Sequence, residues 1–461
     1  MFSFADAILT NNVPAVQQGL GFVDVNGLDE YGFTPLIEAA IVEQTTIAKL
    51  LIAHGADVNG QDATGATALQ WAAENNNLEF AELLLKQGAD PNIYNLSALS
   101  PLVMPTLRRQ TAMRQLLIQY GADVAYAQDY INTKLLGHMY ELVGMATLVD
   151  KQRRFVDIDF EGFYLEVTLG LIANALYEFQ NHFAARQLQR YAALAQFVSA
   201  VIQRAGQLAR WQQYRTNLAE LRPQIEAILQ QEPVLIPVGY EGHAITFIRY
   251  GDYWLKCDRR EDSRLYDHIV LYRIKNLSEL NTQFLYDLVY VKHDDNYING
   301  TIDRLLDLEV ITELKINAQI SGNCSWANVE ASIPALFFLI LLQIQPDPQL
   351  LAQHKSTALN YFYRWQEWNK TRSLQFCIQR YRESDALRQA CLAEMLVAVL
   401  FQRLDSNDAK DKLAIDDIMQ IILSSPYTYL FKNYLKTYYY ESNTEDGKRF
   451  ATLLKQYGYL K

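Results

Sequence analysis

The tripeptide Gly322-Asn323-Cys324 has the residue types that place a reactive thiol at the start of a helix. After Cys324 no helix breaker occurs until Pro334, and residues 329 to 342 are unusually apolar, so a buried helix is predicted. A cysteine is nucleophilic as the thiolate, and a helix N-terminus with a nearby base or cation lowers the thiol pKa. The chemistry predicted for this turn is attack of a thiolate on a carbonyl carbon.

A histidine and an aspartate upstream could supply the base and the carboxylate that orients it. His243 and Asp258 belong to two predicted strands joined by the turn Gly251-Asp252. Antiparallel pairing across this turn places residue 243 opposite 260 and residue 245 opposite 258, so the two side chains are predicted to lie close together. Gln319 could point an amide N–H at a developing oxyanion, beside the backbone N–H of Cys324.

The order of these four candidate catalytic residues resembles that of the adenovirus-protease and ubiquitin-like-protease clan, over about residues 235 to 345. The resemblance implies a thiol enzyme that acts on an acyl or isopeptide bond, since the clan includes deubiquitinases, deSUMOylases and acetyltransferase effectors. Papain-like enzymes share the architecture but place the cysteine first. The chain departs from the clan at Ala244, where the clan has an aromatic residue, and at Ser325, where it has glycine. A pseudoenzyme is therefore the alternative.

The other histidines and cysteines are predicted to have different roles. His268 and His293 are alternative bases, but neither lies in a comparable hairpin. Cys377 and Cys391 fall in helical patterns and are predicted core residues. The four cysteines show neither metal-ligand spacing nor a disulfide framework, which fits a reducing compartment. No phosphate-binding glycine loop, zinc motif or serine elbow occurs in the sequence, so no cofactor or metal is predicted.

The N-terminal part of the chain repeats with a period of 33 residues. The repeated opening motif is Thr34-Pro35-Leu36, Thr67-Ala68-Leu69, Ser100-Pro101-Leu102 and Thr133-Lys134-Leu135. In phase with it, Gly-Ala-Asp occurs at residues 55 to 57, 88 to 90 and 121 to 123. This pattern resembles the ankyrin repeat, so four repeats are predicted after a capping repeat over residues 1 to 33. Because no repeat can bury its apolar faces alone, the array must stack as a solenoid.

Two departures from the repeat predict local irregularities. Pro105 falls where the earlier repeats have Ala39 and Ala72, so the first helix of the third repeat is predicted to be kinked or shortened. The fourth repeat has Ile131 where a turn glycine is expected.

Ankyrin arrays recognise proteins through their hairpin tips and their concave helix face. The resemblance therefore implies that a partner protein binds the array, although solvated turns are the simpler reading of any single residue. The residues predicted at the tips are Asp29, Tyr31, Asp62, Thr64, Tyr94, Asn95, Leu96, Asp129 and Tyr130.

The composition excludes several classes of function. The chain has 461 residues, too many for one core, and half of them are apolar, which indicates a globular protein. A net charge of -11 argues against general binding to nucleic acid or anionic membranes. The N-terminus lacks the pattern of a secretory signal, and the most apolar stretch, residues 333 to 344, is too short to span a bilayer.

The predicted fold class is mixed: an N-terminal α-helical ankyrin solenoid followed by an α+β cysteine-protease-like domain with helical additions. Four regions are predicted. They are the ankyrin repeats over residues 1 to 150, a helical region over 151 to 232, the protease-like domain over 233 to 345, and a C-terminal helical region over 346 to 461.

This domain combination resembles the ankyrin effectors that intracellular bacteria inject into host cells. The resemblance implies delivery by a type IV secretion system into the host cytoplasm or nucleus, with a signal in the C-terminal tail. The polar residues 441 to 448 are compatible with such a signal. Two functions remain open: an enzyme whose array binds a host protein, and a non-catalytic adaptor whose protease-like fold is a scaffold.

Overall fold

A computed structural model describes residues 3–213, 218–240, 242–260, 268–320 and 322–460 of the chain. The chain forms two compact units, each assembled from three segments. The first unit contains Met1–Lys134, Gly144–Asp159 and Arg380–Met395. The second contains Leu135–Val143, Phe160–Gln379 and Leu396–Lys461.

The first unit is built mainly from consecutive pairs of short helices. The pairs are α1 (Phe4–Leu9) with α2 (Val13–Gly19), α3 (Pro35–Ile41) with α4 (Thr45–Ala53), α5 (Ala68–Glu74) with α6 (Leu78–Lys86), and α7 (Val103–Leu107) with α8 (Thr111–Gln119). The side chains of Thr34 and Thr67 cap α3 and α5. The helix α7, which contains Pro105, has five residues where α3 and α5 have seven, so the predicted shortening is confirmed.

Asparagines spaced 33 residues apart connect successive repeats. Asn59 Oδ1 accepts from the backbone N–H of Asp90 at 2.8 Å, and its Nδ2 donates to the carbonyl of Gly88 at 3.3 Å. Asn26 and Asn92 make the same two bonds to the repeats that follow them. Each asparagine thus pairs backbone groups that lie just after the second helix of the next repeat and that this helix end would otherwise leave unpaired.

The fourth repeat is not formed, and its predicted start is wrong. Thr133 lies inside one continuous helix, α9 (Val124–Met139), instead of capping a new one. In the earlier repeats the side-chain oxygens of Asp29, Asp62 and Asn95 accept two backbone N–H groups each and hold a turn. The equivalent residue is Gln128, whose amide instead bonds Asn132 one helical turn on. A hairpin of β1 (Met145–Val149) and β2 (Phe155–Asp159) follows.

The second unit contains a five-stranded sheet surrounded by helices. Its strands are β3 (Val234–Tyr240), β4 (His243–Tyr250), β5 (Tyr253–Cys257), β6 (Ile269–Ile274) and β7 (Leu308–Leu314). They pair antiparallel in chain order. Thr246 lies opposite Cys257 and Tyr250 opposite Tyr253, which confirms the predicted register of this hairpin. Gly251, with φ of +60°, makes the tight turn between the two strands.

Helices pack on both faces of this sheet. The remaining helices are α10 (Leu165–Gln180), α11 (Ala192–Gln213), α12 (Leu218–Leu229), α13 (Thr282–Tyr290), α14 (Ile302–Leu305), α15 (Cys324–Ile344), α16 (Leu351–Glu383), α17 (Ala386–Arg403), α18 (Lys412–Leu423), α19 (Tyr429–Tyr434) and α20 (Glu445–Gln456). The helices α11, α12 and α13 share one hydrophobic core with alternate residues of β3 to β6. The helix α15 packs against β4 and β5, where Thr246 Oγ1 bonds Ser332 Oγ at 2.7 Å.

Helix α15 is the core helix of the second unit. Among the described residues it is the one helix that is long and apolar enough to cross a membrane, but 83% of its most apolar stretch is buried inside the protein. Its burial explains the apolar run seen in the sequence. The mixed fold class, with a helical solenoid before a region of helices and sheet, is confirmed.

Candidate active site

Three elements of the second unit meet at one end of the sheet. Strand β4 begins at His243, immediately after a hairpin in which Gly242 has φ of +78°. Strand β5 ends at Cys257, so Asp258 follows at the same end of the sheet. Helix α15 begins at Cys324, as the sequence predicted. The candidate catalytic side chains therefore lie where β4 and α15 begin and where β5 ends, and not in the interiors of the strands.

The thiol of Cys324 lies against the imidazole of His243. The His243 ring and the backbone groups of Ala244 and Ser325 are the polar neighbours that act on its sulfur. Burial would raise the pKa of the Cys324 thiol, but these three partners outweigh burial and lower it. The result is the microenvironment of a nucleophilic cysteine, because each partner favours the thiolate.

The other side of the imidazole faces a carboxylate. His243 Nε2 lies 3.0 Å from Asp258 Oδ1, which leaves Nδ1 as the ring nitrogen for the thiol. Burial disfavours the charged ring, but the bonds to Asp258 and Cys324 raise the pKa of His243 to about 9. A ring held between a carboxylate and a thiolate is therefore expected to be an imidazolium at neutral pH.

Asp258 is itself fixed by two cations. Arg260 Nη2 and Lys256 Nζ lie 3.2 Å and 3.8 Å from Asp258 Oδ2, and the backbone N–H of Arg260 donates to Oδ1 at 3.3 Å. Burial would raise the pKa of Asp258, but His243, Lys256 and Arg260 lower it to about 2. The carboxylate is thus ionised throughout the physiological range and orients the ring.

Neither cation was among the residues predicted for the site. A signal was present, because Lys256 and Asp258 are two residues apart at the end of a strand and therefore point to the same side. Arg260 also stacks over the ring of Tyr240, at 5.9 Å from its centroid, and bonds Asp295 at 3.1 Å.

Gln319 is near the site but is not joined to the other three candidates. It lies on the segment between β7 and α15, and its backbone N–H donates to the carbonyl of Arg259 at 2.8 Å. Its Oε1 atom is buried without a hydrogen-bond partner among the described residues. An oxyanion role for Gln319 stays a prediction.

The alternative bases and nucleophiles lie elsewhere. His268 Nδ1 bonds the carbonyl of Ile316 at 2.6 Å, and His293 Nε2 bonds the carbonyl of Asp287 at 2.9 Å. Of the four cysteines, Cys324 is partly exposed and the other three are buried. Within the part of the chain that the structure describes, no group of three or more His, Cys, Asp or Glu side chains could hold a metal ion.

The predicted partner-binding residues of the first unit divide into two kinds. Leu96 and Tyr31 are exposed at 83% and 71%, and Thr64 is also exposed. Tyr94 stacks on Tyr126 with ring centroids 5.7 Å apart. Asp29, Asp62 and Asn95 hold the turns that present these exposed side chains.

The placement of Asp129 and Tyr130 at a hairpin tip is wrong. Both are buried residues of α9, because Gln128 does not make the turn on which a tip depends. Asp129 pairs with Arg380 at 2.8 Å and with Arg388 at 3.1 Å, so its carboxylate forms a buried ion-pair cluster within the first unit.

Comparison with known proteins agrees with this architecture. The family model for ankyrin repeats matches three copies over residues 4–95. No curated protein matches the chain. A solved structure titled "Structure of Legionella Effector AnkH" superposes with a TM-score of 0.87 at 35% sequence identity, covering 100% of this chain and 98% of that one. The chain therefore belongs to the family of the Legionella effector AnkH.

Proposed function

We propose that this protein is a secreted bacterial effector that binds a host protein through its ankyrin repeats and uses Cys324 to attack an acyl or isopeptide carbonyl. The observation that carries the chemical part is the grouping of three residues at the N-terminus of α15: His243 bonds Asp258 and lowers the pKa of the Cys324 thiol. Its similarity to a Legionella effector supports action in a host cell.

The proposed reaction uses each of these three residues. The Cys324 thiolate attacks the carbonyl carbon, and the electron pair of the carbonyl bond moves to the oxygen. The Nδ1 proton of the His243 imidazolium then passes to the leaving amine as the carbon–nitrogen bond breaks, which yields a thioester. Water or an acceptor amine, deprotonated by the now neutral ring, attacks the thioester carbonyl. The carbon–sulfur bond breaks, the acyl group leaves as a carboxylic acid or a new amide, and the pair of thiolate and imidazolium is restored. Asp258 keeps the ring in the required orientation.

A thiol probe tests the chemical part. Purified protein is treated at neutral pH with iodoacetamide and with ubiquitin-like proteins that carry an electrophile at their C-terminus. Adducts are located by peptide mass spectrometry. We expect modification at Cys324 that is lost in Cys324→Ala and strongly reduced in His243→Ala. His54→Ala is the matched control, because His54 is an exposed histidine at the C-terminal end of α4 and belongs to the first unit, not to the unit that contains Cys324. Labelling of Cys324 that is insensitive to His243→Ala contradicts the proposal.

The second candidate function is a non-catalytic adaptor. Ser325 favours it, because its side chain is buried next to the nucleophile at a position where the resembled clan has glycine. Its hydroxyl has no hydrogen-bond partner among the described residues. In the adaptor, Cys324→Ala leaves both partner binding and cellular effect unchanged. In the enzyme, Cys324→Ala keeps partner binding but loses the effect.

The ankyrin part is tested by host-protein capture. Leu96→Asp and Tyr94→Ala are expected to abolish capture. The melting temperature should stay unchanged in Leu96→Asp, because Leu96 is exposed, and should fall slightly in Tyr94→Ala, because Tyr94 stacks on Tyr126. Leu413→Asp is the control, since Leu413 is an exposed leucine of the second unit. Equal loss of capture in the Leu413 variant argues against a tip-specific surface.

The delivery route is part of the proposal. We infer type IV secretion with a C-terminal signal that includes residues 441 to 448, and action in the host cytoplasm or nucleus. A translocation reporter fused to the chain is expected to enter host cells from bacteria with an intact type IV system. Entry from a mutant that lacks this system refutes the route and leaves the thiol chemistry untouched.

A further inference from the structure

The residue before the nucleophile has the chemistry of a helix cap but does not cap its helix. Asparagine is a favoured N-cap because its side-chain oxygen accepts an N–H of the first turn. Asn323 stands at this position of α15, yet its side chain makes no capping bond, and its φ of -105° and ψ of 15° lie outside the extended region. The side chain is only 5% exposed, so other groups of the protein hold it.

His138 holds the Asn323 side chain through two hydrogen bonds. Asn323 Nδ2 donates to the backbone carbonyl of His138 at 3.2 Å. The Oδ1 atom therefore faces the ring, where it accepts from His138 Nδ1 at 2.6 Å. The ring is fixed in turn, because it is 1% exposed, stacks within 7° of parallel on Trp326 and contacts Phe163. The last turn of α9 is thus joined by a rigid, buried link to the residue before Cys324.

Because this link holds the Asn323 side chain away from the helix, the backbone N–H of Ser325 stays available to the sulfur of Cys324. In a capped helix the side-chain oxygen accepts the N–H of the second or third residue, here Ser325 or Trp326. The N–H of Trp326 bonds the backbone carbonyl of Asn323 at 3.2 Å, and the backbone of Ser325 is among the groups that lower the pKa of the Cys324 thiol. A capping side chain at position 323 would compete for these N–H groups, which a thiolate or an oxyanion needs.

We propose that His138 and Asn323 are positioning residues of the thiol site: by holding the Asn323 side chain away from the helix, His138 keeps the Ser325 N–H for the negatively charged atoms of the reaction. This role rests on the proposed thiol chemistry. It differs from a packing role, because it concerns the charge on Cys324 as well as the stability of the fold.

The first test restores the cap. Serine is a strong N-cap but is too short to reproduce both bonds to His138, so Asn323→Ser exchanges the link for a capping bond. We expect the pH midpoint of Cys324 alkylation by iodoacetamide to rise by about one unit, which lowers the rate near pH 6.5 about tenfold. The melting temperature is expected to change little, because the new capping bond offsets part of the stabilisation that is lost with the two bonds to His138. Asn281→Ser is the matched control, because Asn281 does cap its helix, α13, through the N–H of Phe284.

The second test removes the donor from the ring. His138→Phe keeps an aromatic ring between Trp326 and Phe163 but loses the bond to Asn323 Oδ1. The alkylation midpoint is expected to move upward, in the same direction as for Asn323→Ser. This variant keeps the test decisive if the serine variant does not fold.

Two outcomes overturn the proposal, and they are distinguishable. If the wild-type midpoint is low and both variants retain it, His138 and Asn323 only pack, and the thiol chemistry stands. If the wild-type midpoint equals that of an ordinary thiol, the proposed function fails, and the positioning role fails with it.

Discussion

Removal of the Asp258 carboxylate should weaken the charge pair between Cys324 and His243. In Asp258→Asn the ring keeps a polar neighbour of the same size but loses the negative charge 3.0 Å from Nε2. The partners of His243 raise its pKa from 6.5 to about 9 against the opposing effect of burial, and the Asp258 bond is the largest of the raising contributions. At about 1.4 kcal/mol per pKa unit, the imidazolium is stabilised by about 3 kcal/mol in the folded protein.

The magnitude follows from the fraction of charged ring. With a pKa of about 9, about nine-tenths of the rings are imidazolium at pH 8, whereas a ring at its ordinary pKa would be charged in about one molecule in thirty. Without its cationic partner the Cys324 thiolate becomes less stable. Alkylation by iodoacetamide is therefore expected to slow about tenfold near pH 6.5 and to converge with the wild type near pH 10, where both thiols are ionised.

The control for this experiment is Asp295→Asn. Asp295 Oδ1 bonds Arg260 and Asn299, both of the second unit, and makes no bond to His243 among the described residues. Its pH–rate profile is expected to match the wild type. An Asp258→Asn profile that superposes on the wild-type profile over the whole pH range would refute the reasoning, because the carboxylate would then have no effect on the charge of the pair.

Three further outcomes test the structure around the site and the array. Gly322→Ala is expected to lower stability by at least about 1 kcal/mol, measured by urea unfolding. The reason is that Gly322 has a φ of +83° and the new Cβ would lie 2.5 Å from Glu161 Cγ. Gly55→Ala, at a similar φ but with open space around it, should lose less stability. Asn59→Ala should lower stability by about 1 kcal/mol, measured by urea unfolding, since two backbone groups of the next repeat lose their partner and one of the two bonds is exposed to water. An unchanged unfolding midpoint would contradict the role of Asn59 in connecting the repeats. Arg388→Met should destabilise the chain more at pH 8 than at pH 5. Burial raises the pKa of Asp129, and only the charged carboxylate needs the arginine as its partner. An equal loss of stability at both pH values would contradict that pairing.

Wild-type stability should also depend on the charge of His243. The folded-state pKa of His243 is raised above its ordinary value, so the stabilisation from this group is fully present below pH 6.5 and is lost as the pH rises through about 9. Urea unfolding of wild type and His243→Ala over this range measures the difference. A difference that grows with pH would contradict the sign of the shift.

Local sequence was sufficient where neighbouring residues determine the geometry. The hairpin that brings His243 and Asp258 together was predicted correctly because Gly251 fixes its turn, and the turn fixes the register. The start of α15 at Cys324 was equally local, since a glycine-containing turn precedes an uninterrupted apolar helix. The repeat phase also followed from sequence, because the capping threonines and the connecting asparagines recur every 33 residues.

The remaining features depend on contacts between distant parts of the chain. His138 and Asn323 are 185 residues apart, and no local pattern connects them. Asp129 was predicted at a hairpin tip because the 33-residue period was extended past residue 128. At that position Gln128 has one methylene group more than the asparagine of the preceding repeat, and its side chain does not hold the turn. The contact between Cys324 and His243 also spans two elements, so it was predicted from the residue types and the family resemblance and not from a local pattern.

The most direct test of the central claim is the ultraviolet absorbance of the thiolate, recorded against pH for the wild type after the absorbance of Cys324→Ala has been subtracted. We expect a thiolate signal that is already present near neutral pH and that shifts upward in His243→Ala. A signal that appears only at or above the ordinary thiol range of about 8.5, with no change in the histidine variant, would contradict a paired thiolate and imidazolium.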